Sequence, residues 1–266
     1  MVIECVINIS EGRDLDLVEE IALSAGSDLL DVHSDADHNR SVITVVGTTA
    51  PPAVIKHAVQ RLDLRTHTGV HPRIGVVDVV PFVPLAGSTY DDALRARNAM
   101  SAWIANELQI PVFLYGPERT LPEIRRSAFT TLQPDLGPSE PHPTAGAVAV
   151  GARELMLAWN LWLSEPDLHL AKSIASSIRG PGVRALGLQV GDEVQVSMNL
   201  IDPLTVGPTE VYDRVAALAA IERAELVGLA PQAVLDSVNE NRREQLNLSV
   251  ETTIESRLQR RPNGGI

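Results

Sequence analysis

The chain has 266 residues, 44% of them hydrophobic and 3% aromatic, which is ample for one large or two small folded domains and excludes a disordered chain. Lys and Arg number 22 against 34 Asp and Glu, a net charge of −12, which argues against a surface that tracks nucleic-acid phosphates. A lone cysteine, Cys5, excludes an internal disulfide and a multi-thiolate zinc site; the acidic start MVIECVINIS and interrupted apolar runs point to a cytoplasmic protein with neither signal peptide nor membrane span.

Residues 2–8 are β-branched and turn-bounded, a strand. Asp14 then caps a helix with Leu17, Val18, Ile21, Ala22 and Ala25 at helical spacing, and Gly26 ends it. Two strands follow at 29–33 and 42–46, joined by the polar loop SDADHNR. A helix after Pro51 and Pro52 carries Val54, Ile55, Ala58, Val59 and Leu62 on one face, and 74–83 is a long apolar strand. The order so far is β-α-β-β-α-β. A helix over 90–108 capped by Ser88 or Thr89, a strand at 111–115 and a proline-rich connection over 116–146 come next.

The pattern then repeats. A strand over 155–163 leads to a helix opened by Ser164, Glu165 and Pro166. Strands 183–190 and 193–200 flank Gly191–Asp192, a hairpin signal, and a helix over 209–220 precedes a strand at 225–229. The predicted fold is therefore α+β: two ferredoxin-like (βαββαβ) subdomains side by side with a ligand groove between their sheets. The expected division is 1–150, 151–240 and a polar tail over 241–266; the chain from Pro231 onward is expected to pack only on the surface. Exposed sheet edges are compatible with a homodimer.

Histidine is the informative residue. His33, His38, His67 and His71 lie in loops or at strand ends, where a rigid sheet aims side chains without burying them, whereas His57 falls on the exposed edge of a helix. In His71-Pro72-Arg73 the proline holds its predecessor extended, and the Arg73 guanidinium favours a neutral, base-competent imidazole. The pair can act as general base and anion clamp; a histidine packed in a turn beside a solvated arginine is the other reading. His67 and His71, with His33, Asp35, Asp37 and His38, are also a conceivable metal set, but Gly69 and Pro72 oppose the helix that such a His-x-x-x-His chelate needs, and no metal is expected. Asn8, at the end of the first strand, is either part of a polar turn or a carboxylate ligand at a helix start. The loop Gly137, Pro138, Ser139, Glu140, Pro141, His142, Pro143, Thr144, Ala145 and Gly146 is too rigid for a linker, and its glycines allow close approach to a flat ligand.

Taken together, VIECVINISEGRD, LLDVHSDADHNRSVITVVG, RTHTGVHPRIGVVDVVPFVPL, VFLYG…RTLPEIRR, HPTAGAVAVGARELMLAWNLWL and VSMNLID, spanning about residues 2–235, resemble the formiminotransferase (glutamate formimidoyltransferase) family in its monofunctional form, without a cyclodeaminase domain. The resemblance implies two ferredoxin-like subdomains around a folate groove. It also implies transfer of a formimino (or formyl) group between glutamate and N5 of tetrahydrofolate in one-carbon metabolism and histidine catabolism. The histidine before Pro-Arg in the family motif is the catalytic acid/base, here His71, and folate contacts fall on residues 137–146. Asn8, Asn39, Arg40 and Arg73 are then expected to hold carboxylates and orient the amidine. The expected small molecules are formiminoglutamate and tetrahydrofolate, the latter a co-substrate that brings its own reactive nitrogen. The alternatives are a formimino or formyl amino-acid hydrolase and a non-catalytic folate-binding protein.

Overall fold

A computed structural model describes residues 2–70 and 72–261. His71, the expected acid/base, lies outside the described residues. The chain divides into two compact units, one up to Glu154 and one from Leu155.

The first unit opens with β1 (Ile3–Ile9), α1 (Leu15–Leu23), β2 (Leu29–Asp35), β3 (Arg40–Val46), α2 (Pro51–Arg61) and β4 (Val77–Pro84). The caps are the ones the sequence signals: Asp14 accepts the Leu17 N–H at 3.0 Å. Then come α3 (Tyr90–Trp103), β5 (Val112–Tyr115), α4 (Leu121–Ser127) and β6 (Val148–Ala152). Thr89 and Asp92 close a capping box at the start of α3. Among the described residues the sheet runs β2-β3-β1-β4-β6-β5. Its first four strands are antiparallel in the ferredoxin-like order, and β6 inserts parallel between β4 and β5.

The second unit repeats the theme with β7 (Leu157–Leu163), α5 (Leu168–Ile178), β8 (Val183–Val190), β9 (Glu193–Leu200), α6 (Pro208–Ala216) and β10 (Ile221–Leu226). Its strand order β10-β7-β9-β8 is the same ferredoxin-like order. Val190 pairs with Glu193 across the predicted Gly191–Asp192 turn, where Gly191 has φ +57°. Asp167, not Ser164, caps α5.

Several further expectations need correction. The strand expected over 74–83 begins at Val77, because 74–76 peel away to meet 145–147: Val76 N–H donates to Ala145 O and Ala147 N–H to Ile74 O. The connection expected over 116–146 contains a helix, α4, and just beyond it lies β6, where no strand was expected. The β6 run VAVGA is small and buried throughout, as a parallel interior strand must be, with Gly151 against the Tyr115 ring. The helix expected over 209–220 stops at Ala216, and the last strand starts at Ile221; its Glu222 and Arg223 suit a sheet edge but hide it from a hydrophobic pattern.

Finally, the segment from Pro231 is not a surface tail. Its helices α7 (Gln232–Ser237), α8 (Glu240–Arg243) and α9 (Ile254–Gln259) surround a few apolar residues that enter the second core: Val234, Leu235 and Leu246 are fully buried. Trp159 Nε1–H donates to Leu246 O at 3.0 Å. The average polarity of the segment concealed these anchors. No helix among the described residues is long and apolar enough to cross a membrane.

Candidate functional site

The site of the first unit is organised by a carboxylate that a hydrophobic strand should not carry. Asp78 sits in the run VDVVPFVP of β4, and its side chain is 0% exposed. It accepts from Arg40 Nη1 at 2.7 Å, from Arg125 Nη2 at 2.5 Å and from the Ile74 N–H at 2.8 Å. Burial pushes the carboxyl up, but Arg40 and Arg125 outweigh it and hold Asp78 below the usual carboxylate range. Arg40, at the start of β3, also reaches Asn8 Oδ1 at 2.8 Å, and Arg125, on α4, reaches Pro72 O at 2.7 Å. One carboxylate therefore ties β1, β3, β4 and α4 to the segment flanking His71.

A second knot joins the loops after β1 and β2 to residues 67–69. Asn39, with φ +48°, accepts the Gly12 N–H at 2.9 Å and donates to Thr68 O at 2.9 Å and His67 Nδ1 at 3.2 Å. Arg13 donates to Ala36 O at 2.8 Å and to Thr68 Oγ1 at 3.3 Å, and Arg73 donates to Gly69 O. Asp35 pairs with His38 Nδ1 at 2.7 Å. Burial, and then the Arg73 charge, lower the pKa of His67 and keep its ring neutral.

Beside these knots lies a pocket of about 420 Å³ lined by Leu64, Arg65, Ile74, Arg125, Ala128, Phe129, Pro141, His142, Pro143 and Gly146. Its wall is held by close backbone crossing at two glycines. A Cβ on Gly75 would meet Ala147 O at 2.0 Å, and one on Gly146, whose φ is +72°, would meet Ile74 O at 2.3 Å. His142 and Gly146 exchange two backbone hydrogen bonds, while His142 Nδ1 accepts from the Ala145 N–H at 3.0 Å. Phe129 adds an aromatic edge to the rim. It follows α4 with φ +59° and packs edge-on against Phe113 at 5.1 Å.

Of the sequence-predicted residues, Pro141, His142, Pro143 and Gly146 line this pocket. Thr144 and Ala145 support it through the backbone, Thr144 O accepting the Leu64 N–H at 2.8 Å. Gly137, Pro138, Ser139 and Glu140 lie outside the lining. Asn8 bonds Arg40 within the Asp78 knot, Arg73 bonds Gly69 O, and Asn39 spends its amide on joining loops. His57 bonds Glu20 at 2.9 Å between α1 and α2. Sequence reasoning missed the roles of Asp78, Arg125 and Phe129. A charge inside an apolar strand was a readable signal for Asp78. No group of three or more His, Cys, Asp or Glu side chains gathers as a metal site among the described residues.

These features define the class: an α+β protein of two ferredoxin-like units whose first unit carries a pocket lined in part by Arg65 and Arg125. Residues 2–153 match the model of the formiminotransferase domain, N-terminal subdomain. The chain is similar to glutamate formimidoyltransferase of Streptococcus pyogenes serotype M1, at 34% identity covering 90% of this chain and 92% of that one. It is similar also to glutamate formimidoyltransferase of Thermoplasma acidophilum, at 37% identity over 88% of this chain and 90% of that one. Against formimidoyltransferase-cyclodeaminase of Sus scrofa it is 34% identical over 88% of its length, and the match spans 51% of that protein. The chain belongs to the formiminotransferase family.

Proposed function

We propose that this chain is a folate-dependent transferase that moves a formimino group, or a formyl group, between the amino nitrogen of glutamate and N5 of tetrahydrofolate. Support comes from the named activity of its relatives and, above all, from one structural observation. The loop residues Pro141, His142 and Pro143 share a pocket with Arg125 and Ile74, the latter only three residues after His71.

The folate amine attacks the amidine carbon, and a tetrahedral species forms. Its collapse expels the glutamate nitrogen. A proton must leave the incoming nitrogen and another must reach the outgoing one, and a single imidazole, that of His71, serves both steps in sequence. The flat ring lies against Phe129 and the prolines, and residues 137–140 meet the part of folate beyond the pocket. Arg40 and Arg73 supply positive charge for carboxylates, with Asn8 fixing the Arg40 side chain.

The ring-binding part is tested by Phe129→Ala. Stacking of a heteroaromatic ring on an aromatic side chain is worth about 1–3 kcal/mol, so KM for tetrahydrofolate is expected to rise about 5- to 150-fold. KM for formiminoglutamate should stay near its wild-type value. An unchanged folate KM would remove the ring from the binding surface.

A further inference from the structure

The side chain of His67 carries a polar atom that the proposed chemistry does not use. Its Nε2 is buried and has no hydrogen-bond partner among the described residues. A buried donor or acceptor without a partner is costly in a folded protein, so a ligand atom that pairs with Nε2 would relieve that cost. The identity of the atom follows from Asn39. The Asn39 carbonyl is fixed toward the Gly12 N–H and its amide nitrogen toward Thr68 O, so the same nitrogen must also be the donor facing His67 Nδ1. Nδ1 thus accepts, and the ring proton resides on Nε2.

The local charge selects the partner. After burial, the Arg73 and Arg13 charges lower the pKa of His67 and the Glu11 charge raises it. The Glu11 carboxylate, however, is already committed to the backbone: its Oε1 accepts the N–H groups of Gly12, Arg13 and Asp14 at 2.9, 2.7 and 3.0 Å. An N–H donor beside guanidinium groups suits an anionic oxygen.

We infer that His67 is a substrate-binding residue whose neutral imidazole donates Nε2–H to a carboxylate oxygen of the amino-acid substrate. The identity of that amino acid as formiminoglutamate rests on the proposed function. The donor itself rests on the Asn39 geometry and the unpartnered nitrogen.

Two measurements test it. In protein labelled with ¹⁵N-histidine, the His67 resonance, assigned by its loss in His67→Gln, should show the Nε2–H tautomer and should shift on adding excess formiminoglutamate without folate. In steady-state assays, His67→Leu should raise KM for formiminoglutamate about 10- to 100-fold while leaving KM for tetrahydrofolate unchanged. His67→Gln, whose amide N–H reaches a similar place, should recover most of the loss. A resonance that does not move, a proton on Nδ1, or a His67→Leu enzyme with an unchanged formiminoglutamate KM would overturn the inference. A protein that transfers the group to folate while its His67 signal stays fixed refutes the inference alone. One whose signal shifts without any transfer refutes the proposed function and leaves the carboxylate site standing.

Discussion

Asp78→Asn is expected to destabilise the first unit by about 3–5 kcal/mol, the usual cost of removing one partner from a buried ion pair. The substitution preserves shape and removes only charge. Arg40 and Arg125, whose side chains are 16% and 18% exposed, would then face each other across a neutral amide. The lost carboxylate would also release α4 and the backbone at Pro72 and Ile74, so disorder should spread toward His71. The pH dependence has a definite sign. The folded carboxyl is held below its ordinary value, so its contribution is complete above the unfolded pKa of about 3.9 and is lost as the pH falls through the lower folded value. Urea unfolding across the acid range should show the wild type losing stability there and Asp78→Asn following a flatter profile. A variant with the wild-type midpoint at neutral pH would contradict the reading of Asp78 as the keystone of the site.

His71→Ala is expected to lower kcat by about 10²- to 10⁴-fold, the range for loss of a positioned general acid/base. The chain just after His71 is anchored at three places: Pro72 O on Arg125, Arg73 on Gly69 O, and the Ile74 N–H on Asp78. Those anchors do not depend on the imidazole, so folding and folate affinity should survive the change. The loss should therefore fall on kcat, with KM for tetrahydrofolate nearly constant. A variant retaining kcat within a few-fold of wild type would take the proton-transfer role away from His71.

Much of the fold was legible because it is written in local periodicity. The alternation in β9, the Gly191–Asp192 turn and the Asp14 cap each involve neighbours in sequence, and together they specified both βαββαβ units. The 231–261 segment resisted because few apolar anchors are spread over short helices, and β6 because small buried residues carry no alternation. The loop supplying Pro141, His142 and Pro143 was recognisable by resemblance to a family, whereas the residues that complete the site were not. Arg40 and Arg125 lie 38 and 47 positions from Asp78, and only the sheet order brings them together. Phe129 owes its place to a left-handed backbone turn after α4, a conformation that a bulky residue seldom adopts and that no pattern in the sequence announces. His67 had its meaning hidden in the same way, since its tautomer is set by an asparagine 28 positions away.

The central claim concerns the fate of one carbon. Formiminoglutamate labelled with ¹³C in the formimino group, incubated with the purified protein and followed by NMR, reports it directly. The label is expected to leave glutamate only when tetrahydrofolate is present and to appear in equal amount on N5 of the folate. Label released to water at the same rate with or without folate, or label that never leaves glutamate, would contradict it.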